Sequence, residues 1–458
     1  MASADYSMFI KRKSQMDGDA GFDPLWIPDQ AFDFQQFLLE FAIRKGRSAV
    51  FIDCGMGKSL INSAFAENVV RKTNGRFLIM TPLAVSSQAI AEGAKFGVHI
   101  TRSQDGKVGG PGVYVTNYQR LHNFDPADFI GAACDESSCL KHADAVYRAQ
   151  VTEFLKKLPY RLLSTATPAP NEPLELGTSS EALGYVGHMD MLNRFFKNDM
   201  NNSASGRMHG KVIQWRFKGH AEEPFYRYVC SWSRVARKPS DLGFDDGKFI
   251  LPPLIENDHI VESRTLPDGM LFPRAAFGMR EEREERRRTI TERCERVSEL
   301  VLGHERSLIW CDLNPEGDLI EKFTPGCVQV SGKDSDDEKE EKLTAFANGG
   351  IRRLVTKLKI AGWGLNLQLC NHMCCFPNHS FEGRYQGIRR LWRFGQDRPV
   401  TVDTVLTEGE KPVLENQKRK AVQAERMFAS IVSLVGNELD IARHSEFSVA
   451  EQIPSWMV

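Results

Sequence analysis

The stretch Ala49-Val50-Phe51-Ile52-Asp53-Cys54-Gly55-Met56-Gly57-Lys58-Ser59 constrains this chain more than any other. An apolar run with the character of a buried strand ends in a tight loop with two glycines, and Leu60-Ile61-Asn62-Ser63-Ala64-Phe65 resumes at helical spacing. Strand, glycine loop and helix N-terminus in that order make a phosphate cradle. Gly55 and Gly57 let backbone N–H groups turn inward, Lys58 reaches terminal phosphates, Ser59 offers a hydroxyl to Mg²⁺, and the helix end adds partial positive charge. The full G-x-x-x-x-G-K-[ST] pattern asks for glycine where Ile52 stands, so a plain Gly-rich strand-to-helix turn is the alternative that downstream residues must decide.

A chain of 458 residues is too long for one core and suits two or three domains. With 59 Lys+Arg against 60 Asp+Glu, any nucleic-acid site must be a local basic surface rather than a property of the whole protein. Ten cysteines fall in no C-x-x-C pair and read as reduced thiols of a cytosolic protein. The dense group Cys370, His372, Cys374 and Cys375 sits in an apolar stretch, 367–376, that reads as a buried strand. Side chains there alternate faces, so they are not expected to converge on one metal ion. The first residues lack the apolar core of a signal peptide and no run reaches membrane-spanning length, which predicts a protein without membrane partners.

Residues 1–31 read as an N-terminal arm. Phe34-Gln35 opens a helix running to Lys45, and the Gln35 amide, which both donates and accepts, is suited to gripping adenine. Two further apolar strands end at Thr81-Pro82-Leu83 and at Val115-Thr116-Asn117-Tyr118. Hydroxyls at the carboxyl edge of an open α/β sheet suit a nucleic-acid phosphate, and equally suit strand-end capping. Phe129-Ile130-Gly131-Ala132-Ala133-Cys134 then delivers two adjacent carboxylates, Asp135 and Glu136. Behind a phosphate loop, Asp135 would hold Mg²⁺ beside Ser59 and Glu136 would orient or deprotonate water. Another strand leads to Thr165-Ala166-Thr167-Pro168, a rigid turn placed to sense a terminal phosphate.

Residues 188–250 carry aromatics and bases and predict a small helical insertion whose aromatics are core and whose bases are wet. Leu251-Pro252-Pro253-Leu254 marks the domain boundary, and 279–302 predicts a solvated, charge-dense helical spoke. Strands near 307–311, 328–331, 351–356 and 400–405, alternating with helix-patterned stretches, imply a second parallel sheet with no phosphate loop of its own. It has instead a glycine turn at 361–368 and Gln386-Gly387-Ile388-Arg389-Arg390-Leu391-Trp392-Arg393-Phe394-Gly395-Gln396. Arg390 and Arg393 lie three apart, so on a helix they would share a face and could reach across a cleft to phosphate oxygens, a plain arginine-bearing surface helix being the equal alternative. A long helix from about 412 to 435 closes the domain.

In this order the motifs resemble a superfamily 2 helicase, and most closely the Swi/Snf-like branch of double-stranded DNA translocases in its compact phage and prophage form. The resemblance spans 32–435. Gln35 falls in the adenine-contacting region, and Gly55, Met56, Gly57, Lys58 and Ser59 fall on motif I. Asp135-Glu136 is the Asp-Glu box, Thr165-Ala166-Thr167-Pro168 is motif III, Thr356-Lys357 with Gly362-Trp363-Gly364-Leu365-Asn366 is motif V, and Gln386, Arg390, Arg393, Gly395 and Gln396 are motif VI. Departures stand at His142 and Trp392, where asparagine and histidine are usual.

The resemblance implies an α/β protein of two tandem RecA-like lobes with parallel sheets, small helical insertions between them and a C-terminal brace helix: lobe 1 over 32–187 and lobe 2 over 251–458. It implies a monomeric, DNA-dependent ATPase of the bacterial or phage-infected cytoplasm, using ATP and Mg²⁺ and binding double-stranded DNA with little sequence preference. ATP would lie against Gln35, the 55–59 loop, Gly364 and Gln386. Catalysis would fall to Lys58, Asp135, Glu136, Arg390 and Arg393, with Ser59 and Asp135 on the metal. Thr81, Pro82, Thr116, Thr167, Ser331, Thr356 and Lys357 would hold the nucleic-acid backbone. The rival readings are a strand-separating DNA or RNA helicase, the motor subunit of a defence nuclease, and a catalytically retired clamp.

Overall fold

Short apolar runs separated by helix-patterned stretches cannot pair as hairpins, because a crossover of a dozen residues returns the chain parallel to itself. That constraint sets both sheets of this protein. The computed structural model describes residues 20–82, 85–138, 140, 145–169, 172–198, 215–264, 279–361 and 366–444. Its strands are β1 (Arg47–Ile52), β2 (Arg76–Thr81), β3 (Ile100–Arg102), β4 (Gly112–Asn117), β5 (Gly131–Asp135), β6 (Tyr160–Ser164), β7 (Phe196–Asn198), β8 (Trp215–Phe217), β9 (Ser233–Ala236), β10 (Leu254–Val261), β11 (Ser307–Trp310), β12 (Cys327–Val330), β13 (Arg353–Thr356), β14 (His372–Cys375) and β15 (Val400–Thr407).

The first sheet runs β3-β4-β2-β5-β6-β1-β9 and the second β10-β15-β14-β11-β13-β12. Every pairing in both is parallel. The fold is therefore α/β, with two parallel sheets in tandem. Parallel strands are covered on both faces, which is why β1, β2 and β4 read as nearly continuous apolar runs rather than alternating ones. Since all strands of a sheet point one way, the loops leaving β1, β5 and β6, which are neighbours, open on the same edge.

Three expectations are corrected. Residues 188–250 are not a separate insertion: β9 extends the first sheet beside β1, and Phe225, Tyr226, Tyr228 and Trp232 belong to the first lobe's core. Only the small antiparallel pair β7–β8 lies outside the two main sheets among the described residues. The strand expected over 367–376 occupies only His372–Cys375. Its alternation holds, with Cys375 facing one core and Cys374 the other.

The charge-dense stretch is two helices, Met279–Arg288 and Ile290–Leu302, and they are not simply solvated. Arg293 is fully buried, 3.1 Å from Glu316 and 3.7 Å from Glu410, while Arg286 reaches Asp312 at 3.5 Å and Glu410 at 3.3 Å. A helical i,i+4 partner is worth a few tenths of a kcal/mol in water. Buried carboxylates on neighbouring elements compete better, because their own burial is costly without a cation.

Glu410 stands immediately before the C-terminal helix Lys411–His444. Near its start, the Gln417 amide donates to Asn378 at 3.3 Å in the second lobe. Further on, Met427, Phe428 and Ile431 share one helical face and join the first lobe's core, while Arg237 stacks over Phe428 at 4.3 Å. One continuous helix is thus anchored in both lobes. Ile431 is fully buried there, so Ile431→Ala is expected to cost about 2–5 kcal/mol, read as a lowered urea midpoint of the transition that unfolds the first lobe.

Candidate functional site

The loop after β1 has the backbone its glycines allow. Gly55 and Gly57 take φ of 88° and 95°, the left-handed region that other residues enter at a cost. Space forbids a side chain as well: a Cβ on Gly57 would lie 2.3 Å from the Gln35 amide nitrogen, and one on Gly55 would lie 3.1 Å from the Phe394 Cβ of the second lobe. Gln35 is buried and donates to the Met56 carbonyl at 2.9 Å, while its own carbonyl accepts from the Phe32 N–H at 3.1 Å. In this state its amide shapes the phosphate loop. One amide hydrogen and one lone pair are left over for a base.

Helix Lys58–Thr73 begins on the second glycine, so Lys58 and Ser59 lie in its first turn. The Lys58 ammonium donates to the Ile52 carbonyl at 3.3 Å and sits 3.7 Å from a Glu136 carboxylate oxygen. Burial works to lower its pKa, but Glu136, with Cys54 and Asp135, outweighs that and the net shift is upward. It stays a cation in a dry place.

Asp135 ends β5 and Glu136 follows it with φ of 54°, left-handed for a residue with a side chain, which costs on the order of 1 kcal/mol. The turn sends the two carboxylates different ways. Asp135 accepts from Asn62 at 3.2 Å and Ser164 at 3.3 Å, and Glu136 accepts from Thr165 at 3.2 Å. Burial, and then the neighbouring Glu136 charge, push the Asp135 pKa up to about 7. A buried acid held up by its own surroundings, and a hydroxyl in the first turn of the helix whose Asn62 donates to that acid, are donor types a hard divalent cation suits. Asp135 and Ser59 fit Mg²⁺ on that ground.

Sequence reasoning missed Asn62, which supports Asp135. Its position four residues after Lys58, on the same helix face, was the available signal.

From the second lobe, helix Phe381–Ile388 ends before Arg389, so Arg390 and Arg393 lie in the turns and bends that follow it and not on the shared helix face their spacing suggested. Arg390 is buried within reach of the first lobe's charges: burial lowers its pKa, Glu136 and Asp135 oppose that, and its charge is felt at Lys58. Arg393 lies beside Arg389 and Arg390, and its Nε is buried without a hydrogen-bond partner among the described residues. Gln386 is buried and donates to Glu382 at 3.3 Å, and the same Glu382 oxygen accepts from Thr167 of the first lobe at 2.8 Å.

The residues expected to hold a polymer sit at strand ends but point largely inward. The Thr81 hydroxyl pairs with Ser86 at 3.1 Å, Thr356 donates to the Val330 carbonyl at 2.9 Å, and Thr167 is taken by Glu382. Thr116 is also buried, and its hydroxyl has no partner among the described residues. Pro82, Ser331 and Lys357 are half-buried. Gly364 and its neighbours 362–365, with Leu83, Lys141, His142 and Asn171, lie outside the described residues.

A second polar cluster lies in the other lobe. His372 donates from Nε2 to the Asp403 carboxylate at 2.9 Å and its Nδ1 pairs with the Ser307 hydroxyl at 2.8 Å, and His304 stacks on it with ring centroids 3.6 Å apart and planes 4° from parallel. His304, His372 and Asp403 are close enough to suggest a metal site. Parallel stacked rings, however, aim their nitrogen lone pairs along parallel planes and cannot both meet one ion at about 2.0–2.1 Å. The cluster reads as a satisfied core network.

No family model matches the sequence, and no curated protein matches it. Solved structures do match. Dbp5 of S. cerevisiae, bound to RNA and ADP BeF3, aligns at 10% identity with a TM-score of 0.55, over 87% of this chain and 93% of that one. A point variant of Dbp5, also bound to RNA and ADP BeF3, aligns at 10% identity with a TM-score of 0.52, over 90% and 92%. The Sulfolobus solfataricus SWI2/SNF2 ATPase core in complex with dsDNA aligns at 16% identity with a TM-score of 0.41, over 93% and 99%. The Dbp5 likeness, together with the two parallel sheets in tandem, shows the fold: two RecA-like lobes in tandem.

Proposed function

We propose that this chain is an ATP-dependent nucleic-acid motor of the Swi/Snf-like, compact phage type, which hydrolyses ATP to ADP and phosphate between its lobes and moves along double-stranded DNA. The observation that carries the reading is the burial of Arg390, supplied by the second lobe, within electrostatic reach of Lys58, Asp135 and Glu136 on the first.

In this reading the 55–59 loop turns its N–H groups to the phosphates, and Lys58 leaves the Ile52 carbonyl for phosphate oxygens. Asp135 and Ser59 would hold Mg²⁺, which would supply charge neutralisation at the phosphates. Glu136, oriented by Thr165 and held off Asp135 by its left-handed backbone, takes the proton of the attacking water. Arg390 opposes the charge that develops on the transferred phosphoryl group, an effect that elsewhere amounts to about 10³ to 10⁵ in rate. Thr167 joins Glu382 across the cleft, which links the sensing turn to the second lobe.

Lys58→Ala and Glu136→Gln are each expected to abolish phosphate release, with ATP binding, read by a fluorescent analogue, kept in Glu136→Gln. Arg390→Ala is expected to lose more turnover than Arg393→Ala while both retain nucleotide affinity. The reverse order would make Arg393 the group that meets the phosphoryl charge.

The choice of track rests on the motif resemblance. A second reading, an RNA-dependent motor, is favoured by the Dbp5 likeness, a protein seen bound to RNA. Backbone binding predicts little sequence preference and steep loss of stimulation with salt. ATP turnover measured with double-stranded DNA, single-stranded DNA and RNA separates the readings: the largest stimulation is expected from double-stranded DNA, and stimulation by RNA alone would select the second.

A further inference from the structure

An acidic residue inside a phosphate-binding loop is an anomaly, since its charge repels the ligand the loop is shaped for. Asp53 is such a residue. It is 2% exposed, immediately follows β1, and its backbone N–H donates to the Ala236 carbonyl at 3.1 Å, which fixes its main chain to the first sheet. One of its carboxylate oxygens accepts from the Cys54 N–H at 2.7 Å and from the Tyr385 hydroxyl, also at 2.7 Å. The other is ion-paired with the Arg389 guanidinium. Tyr385 and Arg389 both come from the second lobe.

Arg389 is held on every side. Its Nε donates to the Tyr385 hydroxyl at 3.3 Å and another nitrogen donates to the Trp392 carbonyl at 3.2 Å. The guanidinium also stacks on the Trp392 ring at 4.4 Å. Trp392 in turn donates from its indole to the Pro252 carbonyl at 2.7 Å, where the chain passes into the second sheet. Neither Asp53 nor Arg389 belongs to the motif positions quoted above, and Trp392 is a departure from them.

We propose that Asp53, Tyr385 and Arg389 form a latch between the lobes that closes the cleft without nucleotide and sets the position of the adjacent Arg390. Arg389 neutralises Asp53 only when the lobes are closed. Open lobes leave the Asp53 carboxylate with the Cys54 N–H alone among these partners; closed lobes counter its repulsion and bring Arg390 in together. Closure and phosphate binding are thereby coupled, and a coupling of this kind is reciprocal. Asp53, Tyr385 and Arg389 are positioning residues. The effect on turnover rests on the proposed ATPase reading, whereas the effect on lobe separation does not.

The test uses the full chain with dyes on unnatural amino acids at Asp105 and Lys322, one in each lobe, and reads energy transfer without nucleotide, beside kcat and KM for ATP. Asp53→Asn is expected to lengthen and broaden the distance distribution and to lower kcat by about 5- to 150-fold, with a much smaller change in KM. Tyr385→Phe, which removes one hydroxyl and keeps the ring, is expected to shift both readouts in the same direction and by less. It keeps the test decisive if Asp53→Asn does not fold. Arg389→Lys, which keeps charge but loses the flat stacking and two-sided donation, is expected to fall between them. Distances and kcat unchanged in folded Asp53→Asn and Tyr385→Phe would overturn the latch and leave the motor intact. Should the wild type hydrolyse no ATP, the distance readout alone decides the latch.

Discussion

Two carboxylates and a lysine share a buried edge of the first sheet, and the charge they leave there is balanced only when a second lobe delivers arginine. This shared electrostatic requirement orders the rest of the molecule. Asp135 and Glu136 lie at the end of β5, Lys58 begins the helix after β1, and Arg390 arrives from the crossover between β14 and β15. Burial makes each ion costly alone and strengthens every attraction among them. The site is therefore a property of closure, and the same low-dielectric setting gives Asp53 and Arg389 their hold on one another.

The C-terminal helix works in the same direction by packing. Its start is tied to the second lobe through Glu410 and Gln417, and Met427, Phe428 and Ile431 belong to the core of the first. One helix is thus anchored in both lobes, and near its middle a small cavity is lined by Thr167, Arg237, Tyr385 and Phe428. Among the described residues, no helix is long and apolar enough to cross a membrane.

Much of this was legible from local pattern. The tight turn after β1 was legible because Gly55 and Gly57 take a left-handed backbone that favours glycine, and the α/β architecture because apolar runs alternated with helical ones at crossover spacing. Cys374 and Cys375 facing opposite cores follows from strand alternation alone. What failed was inference from composition. The aromatics at 225–232 looked like an independent insertion, yet a strand four residues long, β9, carries them into the first sheet. The charged helices looked solvated, yet Arg293 is buried among carboxylates that lie far away in sequence. The strand-end threonines suited a phosphate and strand-end capping equally from the sequence, and most of their hydroxyls are taken inside the protein.

The sequence by itself determined the chemistry on offer: a cradle, a carboxylate pair and a run of arginines, each fixed by residue type and short-range spacing. Only the tertiary structure decided which of these meet. The pairing of Asp53 with Arg389, of Thr167 with Glu382 and of Arg390 with the carboxylate pair spans more than two hundred residues, and no periodicity records such distances. Local spacing reports which face of a strand or helix a side chain occupies. Contact between lobes depends on how two independently built sheets are turned toward one another, which the packing of the C-terminal helix and the charges in the cleft settle together.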